Sequence, residues 1–313
     1  MFTRWIDTHT HIFAERCEDE TTAFNLAESR KLCDAKTYLD AFGEHAPAGV
    51  VVADFSKGRT SEHVICALDD FRRLGMPAKG IIKANPFDTR TTEWLTRPDI
   101  AGVRFYALTD VPDLSEHKAF WDKTFTDMRR RNQHILVFGG GDNLLKLIEQ
   151  LPQDITLLID HLGLPNAESG DCDHKCQLLL SRLKSRREQG GAPAYIKGPG
   201  YRTSMQVAKT QPFVNKIYDM LGAEALILGA SDTPFLGPVM GYAPEYSGKS
   251  YPDFMTTQGS MNFIAQLIDG LAQHSGSSRD EIARKVLHDN AEDVYNFSDM
   301  QNIYKRWLSL IHI

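Results

Sequence analysis

The chain has 313 residues, of which 42% are hydrophobic and 24% are charged, and its formal net charge is −6. With a mean hydropathy of −0.33, this composition is typical of a soluble globular protein, and no run approaches the roughly 20 apolar residues of a membrane helix. The basic residues are scattered, so neither nucleic acid nor an anionic membrane surface is expected as the main partner. We expect a small molecule instead.

The five cysteines are an odd number, and the sequence opens without the basic and then apolar pattern of a secretory signal. We therefore expect reduced thiols and a cytoplasmic protein. Cys172 and Cys176 flank His174, but no second Cys/His pair lies near them. Because a structural zinc usually takes four ligands, no zinc site is predicted at this run.

Apolar, β-branched runs alternate with helical patterns, which is typical of βα units around a parallel sheet. Strands are predicted at residues 5–9, 49–55, 80–84, 102–106, 134–138, 155–160, 194–197 and 225–229. Helices are predicted at 60–74, 116–131, 143–150, 176–189 and 205–221, with further helices near 279–287 and 302–311. Eight strands, with no dinucleotide-binding glycine fingerprint after the first, predict one α/β domain over residues 1–313, a (β/α)8 TIM-type barrel.

Two regions outside the predicted strands remain open in their interpretation. Residues 236–256 are rich in Gly, Pro, Tyr and Ser, which fits either a lid over the substrate or a surface loop without a role. The C-terminal helices are expected to pack on the barrel exterior or at a subunit contact, so a homo-oligomer is also open.

In such a barrel the chemistry lies at the carboxyl ends of the strands. The first strand ends in Asp7-Thr8-His9-Thr10-His11, and because residues i and i+2 of a strand share a face, His9 and His11 point the same way. Asp7 is interpreted either as part of the site or as a backbone partner of the strand. The other candidates are Ser56, Lys83, Arg104, Asp160, His161, Lys197, Tyr201, Arg202, Ser231 and Asp232, whereas His45, His63, His117, His174, His274, His288 and His312 are predicted at the surface.

Three motifs in this order carry a family resemblance: Ile-Asp-Thr-His-Thr-His-Ile-Phe, Ile-Asp-His-Leu-Gly and Gly-Ala-Ser-Asp-Thr-Pro. Together they resemble the amidohydrolase superfamily, in the amidohydrolase 2 branch that contains 2-pyrone-4,6-dicarboxylate lactonase and sugar lactonases. The resemblance implies a lactonase in which Asp232 activates water while His9, His11 and His161 polarise the ester carbonyl. Asp160, which precedes His161, is interpreted either as the residue that orients it or as a loop cap. An isolated aspartate is a weak base, so Asp232 needs a pKa raised by burial, or an arrangement that tightens on the substrate.

The metal requirement is the main alternative. His9, His11, His161 and Asp232 could form a mononuclear zinc site, but the fifth strand ends in Val137-Phe138-Gly139-Gly140-Gly141 and lacks the histidine of metal-dependent relatives. His134 lies at the opposite end of that strand. We therefore expect catalysis without a cofactor, and keep a zinc-dependent hydrolase or nonoxidative decarboxylase as the alternative. A silent organic-acid-binding protein is a third hypothesis.

The predicted active face carries four cations, Lys83, Arg104, Lys197 and Arg202, which favours an anionic substrate. Within the resemblance, Ser56 and Arg202 match carboxylate-binding positions, Arg104 matches an arginine, and Tyr201 directly precedes Arg202. Three positions depart from the family: Leu108-Thr109-Asp110 replaces a second arginine, Phe138 a tyrosine, and Thr233-Pro234-Phe235 a Trp-Pro-His sequence. A lactone with one carboxylate, a sugar-derived lactone and the pyrone dicarboxylate all remain open.

Overall fold

A computed structural model of the protein describes residues 4–13, 17, 33–55, 60–170, 173–237 and 255–298. Within these residues eight parallel strands form one sheet in the order β1 to β8. Their bounds are Ile6–Thr10 (β1), Gly49–Ala53 (β2), Ala78–Lys83 (β3), Ile100–Ala107 (β4), His134–Gly139 (β5), Leu157–Ile159 (β6), Ala194–Lys197 (β7) and Leu226–Ile227 (β8). The predicted (β/α)8 barrel is confirmed.

The barrel closes between β1 and the segment that follows β8. The amide of Thr8 donates to the Gly229 carbonyl at 2.8 Å, and the amide of Asp232 donates to the His9 carbonyl at 2.7 Å. A further bond runs from the His11 amide to the Thr233 carbonyl at 2.8 Å. The backbone of the strand 8 aspartate is therefore fixed directly against the backbone of the first-strand histidines.

Ten α-helices lie in the described residues: Ala35–Phe42 (α1), Glu62–Arg73 (α2), Arg90–Trp94 (α3), Lys118–Arg130 (α4), Gly141–Gln150 (α5), His174–Glu188 (α6), Val207–Leu221 (α7), Thr257–Ser275 (α8), Arg279–Arg284 (α9) and Asn290–Tyr295 (α10). A π-helical turn, Lys285–Asp289, joins the last two.

Six of these helices correspond to helices predicted from the sequence: α2, α4, α5, α6, α7 and α9. The predicted helix at 302–311 and residues 238–254 of the predicted lid lie outside the described residues. None of the described helices is long and apolar enough to cross a membrane.

Helix α8 was missed from the sequence. The Thr256 side chain caps it by accepting a hydrogen bond from the Gly259 amide, and its buried face includes Ile264, Leu267 and Leu271. Glycines at 259 and 270 interrupt the helical pattern, and both lie at close contacts with neighbouring side chains. Packing against the barrel thus outweighs their low helix propensity.

The apolar core has two parts. The larger one fills the space between the helices and the sheet. The smaller one fills the barrel interior with Ile6, Val51, Ile81, Ala101, Leu136, Leu158 and Ile227, and residues Ala291, Tyr295 and Phe297 pack against it. Strands buried on both faces explain the continuous apolar runs in the sequence, such as Val50 to Val52.

Candidate active site

His9 and His11 meet an aspartate at the carboxyl end of the barrel. His9 Nε2 lies 3.2 Å from His11 Nε2, and Asp232 Oδ1 lies 3.6 Å from the first nitrogen and 3.3 Å from the second. All three residues are buried, with exposures of 2% or less. The structure therefore brings together three of the four predicted catalytic groups around one point.

Hydrogen bonds at the Nδ1 atoms of His9 and His11 fix the tautomers of both rings. His11 Nδ1 donates to the Ala53 carbonyl at 2.8 Å, and His9 Nδ1 donates to Asp160 Oδ1 at 3.0 Å. Burial lowers the pKa of His9 to about 3, against the opposing effect of Asp160, and burial likewise lowers the pKa of His11. Both rings are neutral near pH 7, so each Nε2 presents a lone pair and no proton.

This tautomer bears on the role predicted for the two rings. A neutral Nε2 without a proton cannot donate a hydrogen bond to an ester carbonyl. The role that the family resemblance implied for His9 and His11 is therefore not available to these tautomers by direct hydrogen bonding.

The same three atoms suit a divalent cation. A tetrahedral zinc with bonds of about 2.0 to 2.1 Å has ligands about 3.4 Å apart, close to the three separations above. Asp232 Oδ1 is buried and has no hydrogen-bond partner, as expected for a ligand atom. His161 also belongs to the cluster, since one atom from each of His9, His161 and Asp232 lies within 4.8 Å of the others. His11 is not part of that second group, whereas His9 and Asp232 are common to both sets of three, so the donors fit one metal ion held around His9 and Asp232.

His161 reaches the site through an unusual backbone. Residues His161, Leu162 and Leu164 have positive φ angles of 52°, 58° and 49°, a left-handed conformation that is uncommon outside glycine. This turn follows β6 and directs the imidazole toward His9, with ring centroids 5.0 Å apart, and onto Phe138 at 4.8 Å. Phe138, which replaces the family tyrosine, thus packs against the site without offering a hydroxyl.

Asp160 orients His9, and the expectation that it orients His161 is not what the contacts show. Its Oδ1 accepts from His9 and lies 3.3 Å from Lys197 Nζ, and its Oδ2 lies 2.8 Å from Arg104 Nη2. Burial opposes ionisation of Asp160, but His9, Lys197 and Arg104 together hold its pKa well below the usual range. A buried carboxylate between two cations keeps the His9 tautomer fixed.

Lys197 and Tyr201 lie behind the reactive groups. Both are fully buried. Lys197 Nζ donates to the Thr8 carbonyl at 2.8 Å, and the Tyr201 hydroxyl donates to the Ser231 carbonyl. The sequence predicted both as substrate ligands, whereas these contacts support β1 and the Asp232 segment.

Arg202 pairs with Asp232. Its Nε and Nη2 both contact Asp232 Oδ2, although the resemblance placed it at a substrate carboxylate. Burial acts to raise the pKa of Asp232, but Arg202, His11 and the other histidines lower it far below the usual range. The raised pKa expected of a general base is therefore absent while Arg202 holds this carboxylate.

Arg104 lies between the carboxylate of Asp160 and the backbone carbonyl of Asp54. Its Nη1 donates to the Asp54 carbonyl at 2.5 Å, and its guanidinium lies 5.0 Å from the Phe138 ring centroid. Lys83 Nζ lies 5.7 Å from the centroid of the Tyr106 ring, whose hydroxyl also donates to the Asp54 carbonyl, at 2.7 Å. Ser56, the remaining predicted ligand, lies outside the described residues.

The sequence left open whether Asp7 belongs to the site or supports the backbone of β1. Asp7 accepts from the Tyr38 hydroxyl at 2.5 Å, from the Ser231 amide at 2.9 Å and from the His9 amide at 3.1 Å. It therefore links β1, α1 and the Asp232 segment.

His63 was predicted at the surface, but it is 1% exposed and stacks on Phe13 with ring centroids 5.4 Å apart. That prediction was wrong because the residue lies on the inner face of α2.

The architecture is a (β/α)8 barrel with two histidines and an aspartate at the carboxyl ends of its first and last strands. No protein-family model matches the chain, and a search of the curated proteins found no significant match. Solved structures that share its fold were found nevertheless.

One is a probable 2-pyrone-4,6-dicarboxylic acid hydrolase of Acinetobacter baumannii with citric acid bound, with a TM-score of 0.66 and 20% identity over 94% of this chain and 100% of that chain. A second protein named for the same activity, from Pseudomonas putida, has a TM-score of 0.66 and 17% identity over 95% of this chain and 99% of that chain. An amidohydrolase of Mycoplasma synoviae has a TM-score of 0.55 and 13% identity over 93% and 87%. The resemblance inferred from the motifs is confirmed at the level of the fold.

Proposed function

We propose that this protein is a hydrolase that opens the ring of an anionic cyclic ester. The observation that carries the proposal is Asp232 Oδ1, a buried oxygen without a hydrogen-bond partner that faces the Nε2 atoms of His9 and His11. Ester hydrolysis needs a proton acceptor for water and a stabiliser for the oxyanion. Solved structures named as hydrolases of a pyrone dicarboxylate share the fold, which supports the choice of a lactone.

Each group has a role in this proposal. Asp232 accepts the proton of the attacking water, and His161 lies beside the point of attack. Arg202 moves from Asp232 Oδ2 to a carboxylate of the substrate, which frees the base when an anionic ligand arrives. Arg104 and Lys197 hold Asp160, and Asp160 holds His9.

The donor arrangement favours a metal-dependent form of the same hydrolysis. His9, His11, His161 and Asp232 would hold one divalent cation, and a bound cation of this kind polarises a carbonyl and lowers the pKa of water. The lone pairs of both Nε2 atoms and the unpartnered Oδ1 are the observations in its favour. They favour zinc-dependent hydrolysis over hydrolysis without a metal, whereas the missing histidine at the end of strand 5 had favoured the metal-free form.

The test is proton release from a panel of lactones, measured with a pH indicator on chelator-treated and on zinc-replenished protein. The panel runs from pyrone dicarboxylates to sugar-acid lactones and monocarboxylate lactones, and Asp232→Asn is the matched control. Acidification in both preparations supports hydrolysis without a metal, and acidification only after zinc supports the metal-dependent form. Release of carbon dioxide without ring opening, or ligand-induced stabilisation without any turnover, contradicts the proposal.

A further inference from the structure

A cavity of about 580 Å³ opens beside the reactive groups, at the loops that follow β4, β5, β6 and β7. Arg202 forms part of its wall and also contacts Asp232. The Arg202 side chain is only 7% exposed. Arg202 therefore lies between the cavity and Asp232, and the volume of the cavity is in the range of small-molecule pockets.

Most polar side chains of the cavity wall are already engaged with each other. Asp173 accepts from the amides of Cys176 and Asn166, and Asp142 pairs with Lys175 at 2.6 Å. Asn143 donates to the carbonyls of Leu108 and Thr109. These groups are structural, so they offer little to a polar ligand.

Two polar groups of the wall differ from the rest. Arg202 carries the buried charge beside Asp232, and its neighbour Thr203 has a buried Oγ1 with no hydrogen-bond partner. A buried polar atom without a partner is costly. A carboxylate that binds Arg202 could also accept a hydrogen bond from the Thr203 hydroxyl.

The rest of the wall is apolar. It is formed by Leu108, Leu144, Leu164, Pro165 and Leu179. Glycines allow these side chains to close together, since a Cβ on Gly163 would lie 2.8 Å from Leu179 Cδ2, and a Cβ on Gly140 would lie 3.0 Å from the Cβ of Leu164. One wall residue, Leu108, belongs to the stretch in which the family resemblance led us to expect a second arginine.

We propose that the cavity binds the apolar substituent of a substrate that carries a single carboxylate. This inference rests on the proposed function and narrows its substrate class to monocarboxylate lactones with an apolar side group. Apart from Arg202, the described part of the cavity wall has one cation, Lys175, which is half-exposed and already paired with Asp142. A second carboxylate would therefore lie mainly against leucines, and sugar hydroxyls would lose hydrogen bonds to water there; both carry a desolvation cost. Dicarboxylates and polyhydroxylated lactones therefore bind more weakly.

The test uses binding of non-reactive acids, so that it does not depend on turnover. Straight-chain monocarboxylates from acetate to octanoate are titrated calorimetrically into the intact protein, with glutarate as the dicarboxylate. Each added methylene is expected to tighten binding about threefold to fourfold until the cavity is full. Hexanoate should bind at least about tenfold more tightly than glutarate.

Three variants and one control make the result specific. Ala167→Phe places a ring in the cavity and should abolish the dependence on chain length, while Leu108→Arg should shift the preference toward glutarate. Arg202→Met should weaken every carboxylate. Leu74→Arg, at a leucine that is 47% exposed and outside the cavity wall, is the matched control.

The outcomes separate this inference from the proposed function. Chain-length dependence that Ala167→Phe removes supports the cavity assignment even when no lactone is hydrolysed. Equal affinity for acetate and octanoate, or tighter binding of glutarate than of hexanoate, overturns it even when lactones are turned over. Chain-length dependence unchanged in Ala167→Phe also overturns it, because the chain then lies elsewhere.

Discussion

Arg202 contacts only one oxygen of Asp232: its Nε and Nη2 both reach Oδ2, whereas Oδ1 faces the histidines. One oxygen of the carboxylate thus pairs with a cation, and the other faces the Nε2 lone pairs of His9 and His11. This cation holds the pKa of Asp232 low. In the proposed function Asp232 is therefore a weak base until Arg202 binds a carboxylate of the substrate, so we expect the charge of the substrate and the strength of the base to be coupled through this arginine.

Replacing Arg202 should therefore change the pH profile as well as the affinity. In Arg202→Met the effect of burial on Asp232 is less opposed, so the pKa of this carboxyl rises. The base must be deprotonated, so activity is lost at a higher pH than in the wild type. We expect the acid limb of kcat/KM, which reports the free enzyme, to move up by at least about one pH unit, measured from pH 4 to 8.

The substrate's charge supplies the control for this variant. Arg202→Met should raise KM for an anionic lactone more than for its neutral methyl ester, because a charge-assisted hydrogen bond is lost only with the anion. Equal losses for both substrates would show that Arg202 acts on Asp232 alone.

Asp232→Asn should lower kcat at least about a hundredfold, as expected when a general base is lost. The amide keeps the shape of the carboxylate but leaves the buried Arg202 without its counter-charge, so the melting temperature should fall while the cooperative unfolding transition of a folded barrel is retained. Turnover by steady-state kinetics and unfolding by circular dichroism check the two halves of this expectation. Near-normal turnover would remove Asp232 from the mechanism.

The eight strands and the motif positions could be predicted because they depend on local patterns. Apolar runs predict buried parallel strands, and the carboxyl end of each strand is where a barrel places chemistry. His9, His11, His161 and Asp232 were all found this way, and the structure brings them together.

The partners of those residues could not be predicted, since they depend on distances between strands. Asp160 lies next to His161 in sequence yet bonds His9 across the barrel. Arg202 and Lys197 were both predicted to bind the substrate, but Arg202 pairs with Asp232 and Lys197 donates a hydrogen bond to the Thr8 carbonyl. The lowered pKa of Asp232 follows from such contacts. Of the two alternatives that the sequence left open, a pKa raised by burial is therefore not what the structure has, and an arrangement that tightens on the substrate stays a prediction.

Asp7 is expected to act as a positioning residue. Burial raises its pKa to about 6, although hydrogen bonds from Ser231, Tyr38 and His9 oppose this shift. Asp7→Asn keeps the volume but weakens the link between the backbones of His9 and Ser231. We expect kcat to fall at least about tenfold while KM stays within about twofold, because the substrate contacts are untouched.

Tyr38→Phe is the milder companion of this change. It removes the hydrogen bond from the Tyr38 hydroxyl to Asp7 and leaves the hydrogen bonds from the amides of His9 and Ser231. Its kcat should lie between those of the wild type and Asp7→Asn. Equal rises of KM in both variants would point to a contact with substrate instead.

The donor set predicts that chelator-treated protein binds one divalent ion per chain. Cobalt is a useful probe because its absorption spectrum reports the coordination geometry, and equilibrium dialysis gives the stoichiometry independently of activity. His11→Asn should weaken binding about tenfold or more. Binding that is unchanged in His11→Asn, or absent from the wild type, would contradict the metal centre.

His134 provides a test of stability that is remote from the reactive groups. It begins β5 at the opposite end of the barrel, its ring packs on Tyr295 with centroids 5.1 Å apart, and neither ring nitrogen has a hydrogen-bond partner. Burial, reinforced by Lys197, lowers its pKa to about 3. The unfolded chain binds a proton at this position below about pH 6.5, whereas the folded chain does not until about pH 3, so the free energy of unfolding falls as the pH falls between these values.

His134→Phe keeps the ring packing and removes the titrating group. From pH 6.5 to pH 5 the histidine should cost about 2 kcal/mol, at about 1.4 kcal/mol per pH unit. The loss of unfolding free energy between pH 7.5 and pH 5, measured by urea denaturation, should therefore be about 2 kcal/mol smaller in His134→Phe. His45→Gln, at a partly exposed histidine on the surface, should leave the loss unchanged; a His134→Phe curve parallel to the wild type would show that this imidazole becomes protonated in the folded protein.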